Sequence, residues 1–151
     1  MKQVEDIQEM KVTMILADFA EAVRGKLYIM GGGWSVTGPA PTPTAIAVKI
    51  EVPWNQANQR HKLRLELFDG DRKPVLVPAP AGNAPLQIGG DFEVGRPAGL
   101  IQGTPIDATF AFNILPIQLQ SGSRFTWVLS INEKTNKNWE ASFSTREKPK
   151  K

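Results

Sequence analysis

His61 is the only histidine in the chain, so acid–base or zinc chemistry near neutral pH would have to begin with it. Zinc sites built without cysteine usually take several histidines, and this sequence has no cysteine at all. A nucleophilic triad would pair His61 with Ser35, Ser121 or Ser123, but no G-x-S-x-G elbow is present to present such a serine. His61 leads directly into the patterned run Lys62 to Phe68 and is expected to be an exposed, structural residue. Asp69-Gly70-Asp71, with Asp91 elsewhere, has the start of a calcium loop. Calcium takes six to eight oxygen ligands, however, and Asp-Gly after a strand is what a tight hairpin requires. No catalytic residue, metal ligand or cofactor-binding residue is assigned.

Asp18 lies in the otherwise apolar run MILADFA. A charge there must be paired, capped by backbone donors or exposed at a strand end. A structural hydrogen bond into the adjoining loop is expected, because no second carboxylate converges on it for acid–base work. Gly31, Gly32 and Gly33 precede Trp34, but nothing after them starts a helix, as a phosphate-cradling loop would need. The triplet is expected to kink a strand where another group packs closely, with Trp34 as the group it makes room for. Trp127 and Trp139 share the inward parity of their runs. Trp54, in the loop Pro53 to Gln59, and Trp34 remain as the candidate contacts for a partner or ligand.

The elements that must position these residues read almost entirely as strands. Ile46, Val48, Ile50 and Val52 alternate with Ala45, Ala47, Lys49 and Glu51, and Leu63, Leu65 and Leu67 alternate with Lys62, Arg64 and Glu66. Phe125 to Ile131 and Trp139 to Phe143 form a hairpin pattern around a turn placed at Asn132 to Lys137. Lys11 to Ala20 is apolar on both parities and reads as a central strand, followed after Arg24-Gly25 by Lys26 to Met30. Phe110 to Leu119 slips parity at Leu115-Pro116, which predicts a bulge in an edge strand. Pro- and Gly-rich loops at Thr37 to Thr44, Val77 to Pro85 and Gly95 to Pro105 punctuate the rest. The expected fold is all-β: a two-sheet antiparallel sandwich of immunoglobulin-like or C2-like kind with eight to nine strands, a closed barrel being the alternative.

A length of 151 residues suits one domain. The expected organisation is an N-terminal extension at 1–10, the β domain at 11–144 and a basic tail at 145–151. The formal charge of +3 is an end effect, since Arg146, Lys148, Lys150 and Lys151 against Glu147 account for all of it. With the body neutral, nucleic-acid contact is expected only weakly, through that tail. Neither an export signal nor a stretch long enough to span a bilayer is legible, so a cytoplasmic or virion-associated protein is expected.

Lys11 to Val36, KVTMILADFAEAVRGKLYIMGGGWSV, and Leu115 to Asn132, LPIQLQSGSRFTWVLSIN, carry the patterns L-A-D-x-A, G-K-L-x-x-x-G-G-G-W and L-P-x-x-L-x-x-G-x-(aromatic). In these the chain resembles an uncharacterised family of small β-sandwich proteins of actinobacteria and their phages. The resemblance implies a fold and transfers no catalytic residue. Together these features predict a non-enzymatic interaction or assembly module, with a phage or phage-derived structural component as its most specific form, and with protein partners or self-association. The alternative is a ligand-binding sandwich, carbohydrate first, that uses the loop tryptophans.

Overall fold

The computed structural model describes residues 9–149, so most of the expected N-terminal extension, and Lys150 and Lys151 of the basic tail, lie outside the described residues. The chain is all-β. In order the strands are β1 (Lys11–Ala17), β2 (Phe19–Val23), β3 (Lys26–Met30), β4 (Val36–Thr37), β5 (Thr44–Val52), β6 (His61–Asp69), β7 (Leu76–Val77), β8 (Ala84–Pro85), β9 (Gln87–Phe92), β10 (Ile106–Ile114), β11 (Arg124–Ile131) and β12 (Lys134–Thr145). Twelve strands replace the eight or nine expected. The excess comes from β4, β7 and β8, which are too short to carry an alternating signal, and from the division of Lys11 to Ala20 at Asp18.

One sheet has the order β1-β5-β10 and a second the order β4-β12-β11-β6-β9, while β2-β3 and β7-β8 form separate pairs. All pairings are antiparallel except β4 with β12. One hydrophobic cluster joins the two larger sheets. Ile46, Val48, Ile50 and Val52 from β5 pack in it with Leu63, Leu65 and Leu67 from β6 and with Phe125, Trp127, Leu129, Trp139 and Phe143 from β11 and β12. These are the apolar residues of one parity in each run. Burying each large one stabilises the fold by roughly 1.5–3 kcal/mol before conformational entropy is subtracted. Met10, assigned from sequence to the leading extension, is buried in this cluster.

The opposite face of the three-stranded sheet is covered as well. Ala45 and Ala47 of β5 and Ala17 of β1 meet Ala20 of β2 in a second cluster, with Ile15, Leu27, Ile29 and Ala111 around it. Small side chains on both surfaces let the hairpin β2–β3 lie close against the sheet. This explains why Lys11 to Ala20 is apolar on both parities. It is not a central strand: β1 is an edge strand whose outer face is covered when the chain bends at Asp18 and folds back.

Two further expectations change. β10 ends at Ile114, and no strand continues through Leu115-Pro116; Ile117 and Leu119 are half-buried in a loop instead. A proline without an N–H ends the pairing rather than bulging it. The β11–β12 turn is Asn132-Glu133, both at positive φ, as a two-residue hairpin turn requires. Of the residues read as turn from sequence, Asn132 to Lys137, the first two make it, whereas Lys134 to Lys137 open β12, whose pairing shifts register between Val128 and Ser130. At the other end β12 runs on through Thr145, whose buried hydroxyl donates to the Gln120 carbonyl at 2.6 Å.

Candidate functional site

Each sequence-derived candidate has a defined place. His61 is not exposed: it is only 3% accessible, because it has the inward parity of Leu63, Leu65 and Leu67 on β6. The backbone N–H of Lys62 donates to Asn132 Oδ1 at 2.9 Å, so Asn132 Nδ2 faces His61 Nδ1, 3.1 Å away. Nδ1 therefore accepts, and Nε2–H donates to the Gln56 carbonyl at 2.9 Å, an assignment that follows from the hydrogen-bond directions. The ring also packs against Phe92 with centroids 5.3 Å apart. Both nitrogens are engaged in tying the Trp54–Gln56 turn and the β11–β12 turn to the start of β6.

Trp54 sits in that single-turn 3-10 helix, half-buried. The Arg96 guanidinium lies 4.5 Å from its ring centroid, and Arg96 Nη2 donates to the Trp54 carbonyl at 2.7 Å. One face of the indole is thus covered, and a sugar ring would have to take the other face or displace Arg96. Trp34 is half-buried and meets Phe143 edge-on, with centroids 5.8 Å apart. The structure does not bring Trp34 and Trp54 together. Trp34 packs against the main cluster beside β12, whereas Trp54 lies in the β5–β6 connection.

The glycines serve neighbours other than Trp34. A Cβ at Gly31, which is at φ +63, would collide with the Asp18 carboxylate, and one at Gly32 would fall 2.6 Å from Ile29 Cγ2. Gly33 N–H donates to the Leu16 carbonyl at 2.7 Å. Asp18 is exposed at the bend between β1 and β2, and its backbone N–H rather than its carboxylate makes the hydrogen bonds, to the carbonyls of Met30 and Gly31. The triplet and Asp18 together close the base of the β2–β3 hairpin. Asp69 organises the turn after β6, its Oδ1 accepting from the N–H groups of Asp71 and Lys73 at 2.9 and 3.0 Å. Asp91 lies apart from that turn on β9, opposite Lys62.

The most enclosed concavity is small, and the larger ones, of about 290 and 450 Å³, are open to solvent. The Pro-rich loop between β4 and β5 roofs a cavity of about 30 Å³ lined by Leu67, Ile117, Leu119, Trp127 and Phe143 among others. That volume holds a water or two, not an organic ligand. Shallow depressions run along β9 at Gly89-Gly90 and beside Arg60, Asp91 and Glu93. Among the described residues no group of three or more His, Asp or Glu is placed to hold a metal ion, and no helix is long and apolar enough to cross a membrane.

The most distinctive surface is one that the sequence reading did not single out. Alternation along β2 and β3 sends Ala20, Leu27 and Ile29 toward the sheet and leaves Phe19, Glu21, Val23, Lys26, Tyr28 and Met30 on the outer face. Phe19 is 46% exposed, Val23 38%, Tyr28 56% and Met30 66%. Arg24-Gly25 makes the two-residue turn with both residues at positive φ. The hairpin is held in place from its base to its middle: Asp18 N–H bonds at the base, and Asn113 pairs with the Ala20 backbone in both directions, Nδ2 donating at 2.7 Å and Oδ1 accepting at 3.2 Å. The sequence signal was present, since both β2 and β3 are apolar on both parities around a short turn, and a two-stranded ribbon has only one face to bury.

No curated protein matches the sequence. A family model spans residues 12–142, from the second residue of β1 into β12, and by that match the chain belongs to a family of unknown function, DUF6941.

Proposed function

We propose that the chain is a non-enzymatic interaction or assembly module that binds protein through the outer face of the β2–β3 hairpin. The observation that carries this reading is the exposed row of Phe19, Val23, Tyr28 and Met30 on a hairpin whose other face is fastened to the sheet. Apolar side chains grouped on one face around Glu21, with Arg24 and Lys26 at the turn end, have the make-up of a contact patch with aromatic and Met anchors. The engagement of both His61 nitrogens in structural hydrogen bonds supports the non-enzymatic part. The architecture we propose is a two-sheet sandwich of immunoglobulin-like or C2-like kind, supported by the single core shared by the three- and five-stranded sheets. Its most specific biological form, a structural component of a phage particle, rests on the sequence resemblance alone.

The test is affinity capture with the immobilised full chain and with a Phe19→Ser/Met30→Ser variant of equal thermal stability. Protein retained by the first and lost by the second supports the reading. Equal retention, or none, places the working surface elsewhere.

A further inference from the structure

The hairpin face is complementary to itself, and we infer that its partner is a second copy of this chain. The pairing presupposes the interaction surface proposed above and names its occupant. Antiparallel register sets the six outward residues in three rows: Phe19 beside Met30, Glu21 beside Tyr28, and Val23 beside Lys26. All six are exposed. A twofold axis lying between two such faces and parallel to the strands sets β2 of one copy over β3 of the other with the rows matched.

In that arrangement Phe19 meets Met30 of the second copy, a thioether on an aromatic ring. The Glu21 carboxylate meets the Tyr28 hydroxyl, an acceptor facing a donor, and Val23 covers the aliphatic stem of Lys26. Symmetry repeats each contact. Turning the axis across the strands would instead set Glu21 against Glu21, so the chemistry selects one orientation. Among the described residues Glu21, Arg24 and Lys26 make no ion pair within the chain, and Glu21 and Lys26 leave the face itself without net charge. Two copies therefore do not repel, whereas a strongly acidic or basic partner finds no matching field. Asn113 occupies the backbone of Ala20, which blocks strand addition along β2 there and leaves the face as the open surface. With six residues from each copy the contact is smaller than a standard protein interface, so the dimer is a weak, reversible one.

Sedimentation of the full chain over a wide concentration range is expected to show a monomer–dimer equilibrium. Tyr28→Glu sets an acid opposite Glu21 of the second copy and should weaken the dimer by more than about tenfold, while the melt of the monomer falls only slightly, because Glu21 is also its cross-strand neighbour within the hairpin. Adding Glu21→Lys in the same chain should restore association, because each Lys then faces an acid. The chain lacks cysteine, so mixed Glu21→Cys and Tyr28→Cys chains should cross-link to each other in preference to themselves. A chain that stays monomeric at the highest concentration, a dimer indifferent to Tyr28→Glu, failure of the double variant to recover, or like-with-like cross-linking would each overturn the inference. A monomer that still loses capture of another protein with Phe19→Ser/Met30→Ser refutes only self-association, whereas a monomer that captures nothing refutes the interaction surface as well.

Discussion

Adding one methyl group at Gly32 tests whether the hairpin is held by close packing at its base. An ideal Cβ there would lie 2.6 Å from Ile29 Cγ2, 3.4 Å from Ile15 Cγ2 and 3.7 Å from Ala17 Cβ. Non-bonded carbons rest near 3.5–4.0 Å, so Ile29 must yield by about 1 Å. Its β-branch makes χ1 stiff, and the side chain is packed against the alanine cluster, so little of that movement is free. Overpacking of this kind costs about 1–3 kcal/mol, and the unfolded-state entropy lost with a glycine returns about 0.4–1 kcal/mol. Gly32→Ala should therefore destabilise by about 1–2 kcal/mol, lowering Tm by about 3–6 °C for a chain of this size. Thermal unfolding followed by circular dichroism reads the effect. An Ile29→Leu background lacks the Cγ2 methyl, so the cost of Gly32→Ala should shrink there, which a double-mutant cycle measures. A neutral or stabilising Gly32→Ala, or a cost unchanged by Ile29→Leu, would refute the close-packing account of the triplet.

His61→Ala should cost about 2–4 kcal/mol in chemical denaturation, because it removes a buried ring and with it the hydrogen bonds that tie the Trp54–Gln56 turn and Asn132 to the start of β6; a loss under about 1 kcal/mol would show that the network is dispensable. Gly31→Ala should be costlier than Gly33→Ala. Both residues have positive φ, but only Gly31 has the Asp18 carboxylate where its Cβ would go, and equal melting points would contradict this. Met10→Ala should destabilise by about 2 kcal/mol, which denaturant titration can check, since Met10 is buried in the main cluster. Arg96→Ala should change stability by no more than about 1 kcal/mol yet make Trp54 more accessible to acrylamide quenching, as expected when an exposed cation leaves an indole face; unchanged quenching would mean that Arg96 does not cover it.

Alternation of apolar residues in β5, β6, β11 and β12 was enough to read from sequence that the chain is all-β and which side chains face the main cluster; it did not show that Ala45 and Ala47, on the other face of β5, are buried too. A strand with one wet face must repeat every second residue, and that rule needs no knowledge of the partner strand. The tight turn at Asp69 was legible for a similar reason, since a short Asp-Gly segment determines its own hydrogen bonds. Tertiary structure decided the rest. His61 had the inward parity in the sequence, but the acceptor and donor that let a polar ring be buried come from Gln56 and from Asn132, which lies 71 residues away. Lys11 to Ala20 announced that it is covered on both faces but not by what. Only the fold shows an edge strand sheltered by its own continuation, with alanines on both sides allowing the approach. The exposed row of Phe19, Val23, Tyr28 and Met30 follows from the same event. A two-stranded ribbon that spends one face on the sheet must leave its other apolar face in water, and sequence periodicity alone cannot say which face is spent.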